Sequence, residues 1–486
     1  MAQTAQEAKP ETPEPEYSKG KQEVTSSNLS LVSESNNTPV QSKKKIFENW
    51  SHNIRVQPRE YYEPKTLDEL QSLVARSSKI KAVGSGHSFN CQAYTDQTMI
   101  SLKHLNRILD VDRDNRRIRV EAGKSLHDFN KEIESYGMVL PSLGGIDKQS
   151  LAGACSTATH GSGLKWGTLS DESSIFGMEL IQDDGSVLEL RADRPSDREG
   201  LMAARVNLGV LGIIYAITFK LEESRCLELR SKPLSLEEAQ DQGHYLKNDH
   251  FEYLVFPFTD TTEVTMRNRT SKTPKPHPII DFYHDIFLKN WTVDGLNRCN
   301  ANLNLKRTPA FVKFLAGMIP NERKVSMSWK NQPGPRTVRF FQAEYAVKLG
   351  LEAEIQQALD QLTASLAKSE TFFANLPVQY RFVKGDQGSF LSPSLSTEPI
   401  CYINLSSHLS YPNWQTFFEE AEKILMQYQA RPQWGKQFYN NPVIQGLYPE
   451  FEAFMEFKKA WDPNGKFTGL FFEKLVAGEK SPYIVK

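Results

Sequence analysis

The chain of 486 residues is poor in cysteine and has no pattern among the few it carries. Cys91, Cys155, Cys226, Cys299 and Cys401 are odd in number, scattered and free of CxxC spacing. That excludes a disulfide framework and fits a reducing, cytoplasmic setting. No metal site is expected. Charge of one sign is also missing, since 58 Lys and Arg stand against 59 Asp and Glu for a net charge of −1. Nothing electrostatic therefore points to nucleic acid or to a membrane surface, and the partner is read as a small molecule. No apolar run approaches the ~20 residues that span a bilayer, and the N-terminal MAQTAQEAKPETPEPEYSKG lacks an apolar signal core. The best place to seek a membrane contact, 277 to 320, is interrupted by His284, Lys289, Asp294, Arg298 and Lys306, so insertion is not expected.

Glycine, by contrast, is concentrated. Ser142 to Gly163 reads SLGGIDKQSLAGACSTATHGSG, small and hydroxyl side chains with a lone His160. Upstream, KAVGSGHSFN at 81 to 90 runs from a short apolar strand into a tight GSGHS turn. Glycine lets the main chain take left-handed conformations and approach a ligand closely, and N–H groups in such turns form concavities for anions. A surface loop padded with small residues is the plainer alternative. The dinucleotide fingerprint GxGxxG is absent, because Phe89 stands at the third glycine position and no strand, turn and helix unit follows.

GSGHS at 84 to 88 followed by SLAGACSTATHGSG at 150 to 163 resembles the PCMH-type FAD-binding domain of the vanillyl-alcohol oxidase superfamily. Within it the chain is similar to sugar-1,4-lactone oxidases, the L-gulonolactone and D-arabinono-1,4-lactone oxidases, and to alditol oxidases, from about Asn49 to the C-terminus. The resemblance implies an α+β, two-domain flavoprotein whose FAD is held from both sides. Val83, Gly84, Ser85, Gly86, His87 and Ser88 would form one side, and Ser150, Gly153, Thr157, Ala158, Thr159 and His160 the other. Gly212 and Ile214 would add contacts to the ring, and His87 would carry the flavin covalently. His160 can equally be a structural histidine bonding backbone in the glycine turn.

Taken in order, residues 1 to 45 are rich in Glu, Pro, Ser, Thr, Gln and Lys and read as a disordered tail. Residues 46 to 223 would be the FAD domain. It contains a helix through Leu67, Leu70, Leu73 and Val74, short strands at 99–102, 107–112 and 117–123, and a helix at 126–137 stopped by Gly137. A hairpin over 174–192 turns at Asp184 and Gly185, a helix covers 197–208, and GVLGIIYAITFKLEES supplies a central strand. Residues 224 to 460 would be an α/β cap that forms the substrate side. Its expected strands are HFEYLVFPF, TEVTMRNRT, VRFFQAEYAV, PVQYRFVK and CYINLSSH. Its expected helices are one with Leu351, Ile355, Leu359, Leu362 and Leu366 on one face and another from Trp414 to Tyr428. Residues 461 to 486 would return to the FAD domain.

Oxidising a CH–OH group with flavin moves a hydride to N5, while a base takes the hydroxyl proton and a cation steadies the negative ring. VQYRFVKGDQGSFLSP at 378 to 393 resembles a lactone-oxidase strand with a Glu and an Arg two residues apart on one face. Arg381 is kept, but the acid is Gln379. RPQWGK at 431 to 436 resembles a motif in which a histidine precedes Trp; Lys436 is kept and the histidine is Gln433. Glutamine cannot accept a proton at neutral pH. The replacements leave open a lactone oxidase, an alditol oxidase, and a flavoprotein that binds a sugar-like ligand with little or no turnover. Restoring both family residues is expected to speed lactone oxidation. His408 is a second candidate base, with a satisfied core histidine as its plainer reading. Gly145 in SLGG favours lactone over alditol, and a methyl at Ala158 is expected to slow oxygen, leaving O2 or another electron acceptor open.

Overall fold

The strands Glu60–Tyr62, Thr98–Ser101 and Ile80–Val83 form a parallel sheet with Thr98–Ser101 in the middle. In the computed structural model the described residues are 42–275, 290–331, 338–480, 482 and 485. Parallel strands need a crossover, and the helix Leu67–Arg76 provides it between Glu60–Tyr62 and Ile80–Val83. Thr66 caps that helix by accepting from the Glu69 N–H, and Leu70, Leu73 and Val74 form its buried face. Ile80–Val83 ends at the GSGHS turn, so the turn is held by a buried strand.

An antiparallel sheet follows in the order Val187–Arg191, Ile175–Ile181, Ile213–Lys220, Arg117–Glu121, Ile108–Asp112. The apolar run expected as a central strand is at its centre, buried through Ile217. Asp184 and Gly185 make the expected hairpin turn, with the Asp184 carboxylate accepting from the Ser186 N–H at 2.8 Å. The helix expected over 197–208 is shorter, Arg198–Arg205.

From Cys226 to Pro432 the described residues are organised by an eight-stranded antiparallel sheet. Its order is Glu322–Met327, Cys226–Ser235, Thr261–Thr270, His250–Val255, Val378–Val383, Ile400–His408, Phe340–Lys348, Arg431–Pro432. The helices Glu352–Lys368 and Trp414–Gln427 pack on one another. The first buries Ile355, Leu359 and Leu366, with Leu351 and Leu362 half-buried. Alternation along Val378–Val383 sends Tyr380 to this helix, where its hydroxyl donates to Gln356 at 2.7 Å, and Gln379 and Arg381 to the other side. The outer strands Cys226–Ser235 and Glu322–Met327 are not evident in sequence, because they are charged, mostly half-buried, and in one case interrupted by Pro233.

Two expectations change. SLAGACS is a six-residue helix, Leu151–Ser156, with Ser150 as its cap, so part of the glycine stretch is helix and not open turn. The tail expected over 1–45 lies outside the described residues up to 41. Residues 42–45 are already fixed, with the Lys43 N–H bonded to the Tyr61 carbonyl at 2.8 Å and Lys45 Nζ to the Tyr61 hydroxyl at 2.9 Å. Of the segment 277–320, residues 277–289 lie outside the described residues. No helix among those described is long and apolar enough to cross a membrane. In the C-terminal stretch the Lys466 carbonyl accepts from the Ile80 N–H at 2.9 Å, and its ammonium donates to the Val74 carbonyl of the helix Leu67–Arg76 at 2.9 Å.

Candidate functional site

A cavity of about 1250 Å³ runs between the glycine-rich loops and the open face of the eight-stranded sheet. Ligand sites for small molecules span ~300–1,000 Å³, so this one holds an extended cofactor with room beside it. The sequence-predicted site residues line it, with the exceptions of Ala158 and the second candidate base His408. Val83 to Ser88, Gly144 to Ser150, Ala152 and Gly153, Thr157, Thr159 and His160, and Gly212 to Ile214 line one wall. Gln342, Glu344, Gln379, Arg381, Asn404, Gln433 and Lys436 form the floor.

The glycine wall is built from backbone. A Cβ on Gly84 would lie 2.2 Å from Ser150 Oγ, the oxygen that caps Leu151–Ser156. Gly212 has φ +131°, and a Cβ there would meet the Ile181 carbonyl at 2.8 Å. With side chains excluded at these points, main chain and the hydroxyls of Ser85, Ser88, Thr157 and Thr159 face the cavity. This donor set suits a phosphate-bearing cofactor such as FAD. Ala158 lies behind that surface, fully buried at φ +54°, with its N–H on the Cys155 carbonyl. Its methyl is therefore not on the cavity wall, contrary to the expectation that it shields a ring face.

The floor is set by strand register. Gln379, Asn404 and Glu344 are directly opposed across three neighbouring strands, and Glu252 is opposed to Arg381. Arg381 Nε donates to the Glu252 carboxylate at 2.9 Å and Gln379 Nε2 donates to it at 2.8 Å, while Arg267 holds its other oxygen at 2.9 Å. Burial works against charge on Glu252, but the two guanidinium groups hold its carboxyl well below the usual range. The acid absent at position 379 is thus present on the adjacent strand, behind the floor.

Gln433 bridges the two walls. Its Nε2 donates to the Thr157 carbonyl at 2.5 Å and its Oε1 accepts from the Gly435 N–H at 2.7 Å, so both ends of the amide are used. The same loop is tied to the GSGHS turn by the Phe89 N–H on the Gly435 carbonyl at 2.8 Å and by Asn90 Nδ2 on the Trp434 carbonyl at 2.7 Å. Lys436 bonds Gln342, and its ammonium lies 4.0 Å from Glu344 Oε2 and 4.9 Å from the centre of the Phe89 ring. Burial first, then the Lys436 charge, lowers His87 to about 4, so its imidazole is neutral at pH 7.

His160 is buried against Tyr402, ring centroids 3.6 Å apart and planes 15° from parallel. His408 is a satisfied core residue away from the cavity, with Nε2 3.0 Å from Asp294 Oδ1. Glu252, Glu344, Asn404 and Gln342 were missed from sequence. The available signal was a lone acid inside each of the apolar strands HFEYLVF and FFQAEYAV, since a buried carboxylate needs partners.

Residues 217–475 match the family model for D-arabinono-1,4-lactone oxidase, and residues 58–191 match that for an FAD binding domain. The chain is 29% identical to the L-gulonolactone oxidase of Mus musculus, covering 88% of this chain and 98% of the relative. It is 30% identical to the L-gulono-1,4-lactone dehydrogenase of Mycobacterium tuberculosis, covering 89% and 99%. It is 27% identical to an alditol oxidase of Streptomyces, covering 88% and 99%. The cholesterol oxidase of B. sterolicum shares the fold, with a TM-score of 0.76 at 16% identity over 92% of this chain and all of that one.

Proposed function

This chain belongs to the D-arabinono-1,4-lactone oxidase family, and on that premise we propose that it oxidises a CH–OH group of an aldono-1,4-lactone with FAD. The observation that carries this reading is one cavity with a bare-backbone wall able to hold FAD and a floor presenting Arg381 and Lys436. Bound there, the flavin supplies a two-electron acceptor for hydride. Arg381, aligned by Glu252, and Lys436 then stabilise negative charge that develops at the floor. Gln379 Nε2 is committed to Glu252, which leaves its Oε1 to accept from a substrate hydroxyl. Gln433 ties its loop to the glycine wall through the Thr157 carbonyl.

His87 is the proposed covalent attachment point, supported by its place on the cavity wall and its neutral ring. Residues 46–223 would form the FAD-binding part, 224–460 the substrate cap and 461–486 the return. The five unpaired thiols support a reducing, cytoplasmic setting. A second reading, sugar binding without turnover, draws on the two glutamines, which cannot take up a proton.

One preparation separates these. Purified protein should be yellow, the colour should stay with the acid-precipitated pellet, and anaerobic addition of aldono-1,4-lactones should bleach it. Bleaching only by alditols moves the substrate class. Flavin that no lactone or alditol bleaches favours binding without turnover, and colour in the supernatant removes the His87 bond.

A further inference from the structure

His160 and Glu344 face one another on the cavity wall with a proton to place between them. His160 Nδ1 lies 3.0 Å from the Gly161 carbonyl oxygen. A carbonyl oxygen only accepts, so Nδ1 carries the hydrogen and the neutral ring turns a lone pair outward at Nε2. Nε2 is 3.3 Å from Glu344 Oε1. A lone pair against a carboxylate oxygen is repulsive, and one proton between them makes the contact attractive. Neither group can turn away: His160 is stacked on Tyr402, and Glu344 is 3% exposed within the strand Phe340–Lys348.

A second observation points outward. Glu344 Oε1 is buried yet has no well-formed hydrogen bond, which leaves the carboxylate with acceptor capacity unused, and both residues line the cavity. The groups facing the pair are Lys436, with its ammonium 4.0 Å from Oε2, Arg381 and Asn404 on the neighbouring strands, and Tyr402, whose hydroxyl is bonded to Ser394 at 2.6 Å. Gln379 and Gln433 cannot take up a proton, and this pair can.

We propose that Glu344 and His160 are the proton-accepting pair of the oxidation, with the hydroxyl of the reacting carbon donating to the Glu344 carboxylate from the cavity side. The C–H bond breaks with its electron pair going to oxidised flavin, the O–H bond breaks, the carbonyl forms, and the proton comes to rest between Oε1 and Nε2. The pair passes from a net charge of −1 to neutral. Burial works against charge on Glu344, but His160, Lys436 and Arg381 hold its carboxyl well below the usual range. The pair must be unprotonated before each turnover, and the oxidation therefore speeds up as pH rises through its ionisation.

This inference rests on the flavin oxidoreductase reading, and two measurements keep them apart. In the flavin-loaded protein labelled with 15N-histidine, the His160 signal, identified by its loss in His160→Asn, should show hydrogen on Nδ1. In anaerobic stopped-flow with L-gulono-1,4-lactone between about pH 5 and 9, wild-type reduction should rise along a single-proton limb. Glu344→Gln should lose ~10²-fold in rate together with that limb, at flavin content near wild type. Glu344→Asp, which keeps a carboxylate, should retain the limb at a smaller loss. A Glu344→Gln protein that folds, keeps the limb and stays within about threefold of wild type, or a His160 with hydrogen on Nε2 alone, overturns the pair. Wild-type protein bleached by no lactone or alditol overturns the oxidoreductase reading instead.

Discussion

The two sides of the cavity are made in opposite ways. The glycine wall presents main chain from short contiguous stretches, Val83 to Ser88 and Ser150 to His160, and its chemistry depends on side chains being absent. The strand floor presents side chains, and each is placed by a partner far away in sequence: Arg381 by Glu252, Gln433 by Thr157, Glu344 beside His160. A wall of that kind tolerates no added atom, whereas a floor of this kind tolerates no change of charge. The wall should therefore fail by losing flavin and the floor by losing rate.

The largest test of that contrast is Arg381→Ala. Removing one donor to developing charge typically costs ~10² to 10³ in rate, and flavin reduction by lactone should fall by that factor while the flavin-to-protein ratio stays near wild type. Parallel loss of flavin would mean that floor and wall are not separable.

Gln379→Glu comes next, and for this single change the structure adds a stability cost to the expected gain in rate from restoring both family residues. Gln379 Nε2 is 2.8 Å from the Glu252 carboxylate, so the new carboxyl would meet an existing one. Two carboxylates in contact cannot both ionise, and the new group's pKa is raised in the folded state. Its contribution is retained below the unfolded Glu value of about 4.3 and lost as pH rises through the raised folded value. At neutral pH the variant should be ~1–3 kcal/mol less stable, and the deficit should shrink on acidification. Melting curves at two pH values check this, and a variant as stable as wild type at both would show that Glu252 moves aside.

The smallest effect belongs to the wall. Gly212→Ala must hold a methyl at φ +131° and 2.8 Å from the Ile181 carbonyl, which costs at least ~1 kcal/mol. The expected outcome is a lower flavin-to-protein ratio with an unchanged reduction rate per bound flavin. Full flavin content would show that this stretch of wall is not in contact with the cofactor.

The glycine wall was legible in sequence because backbone chemistry is written in consecutive residues: GSGHS and THGSG announce where side chains are missing. Even there, local reading took SLAGACS as open turn, although Ser150 caps a short helix, and placed Ala158 on a surface that it only supports. In the floor, Gln379 and Gln433 stood out as departures from a resembled pattern, which suggested lost catalytic groups. The structure gives each amide a definite partner and supplies carboxylates at Glu252 and Glu344 instead.

By itself the sequence determined the fold class, the order of most elements and the identity of the wall, since each of these is carried by local periodicity, turn chemistry or a contiguous run of small residues. Only the tertiary structure decided which charges share the floor. Opposing Glu252 to Arg381, lining up Gln379, Asn404 and Glu344, and setting His160 against Glu344 all depend on strand register and sheet order. A strand's own residues do not specify its neighbour, and a shift of one residue in pairing would turn every one of these side chains to the opposite face.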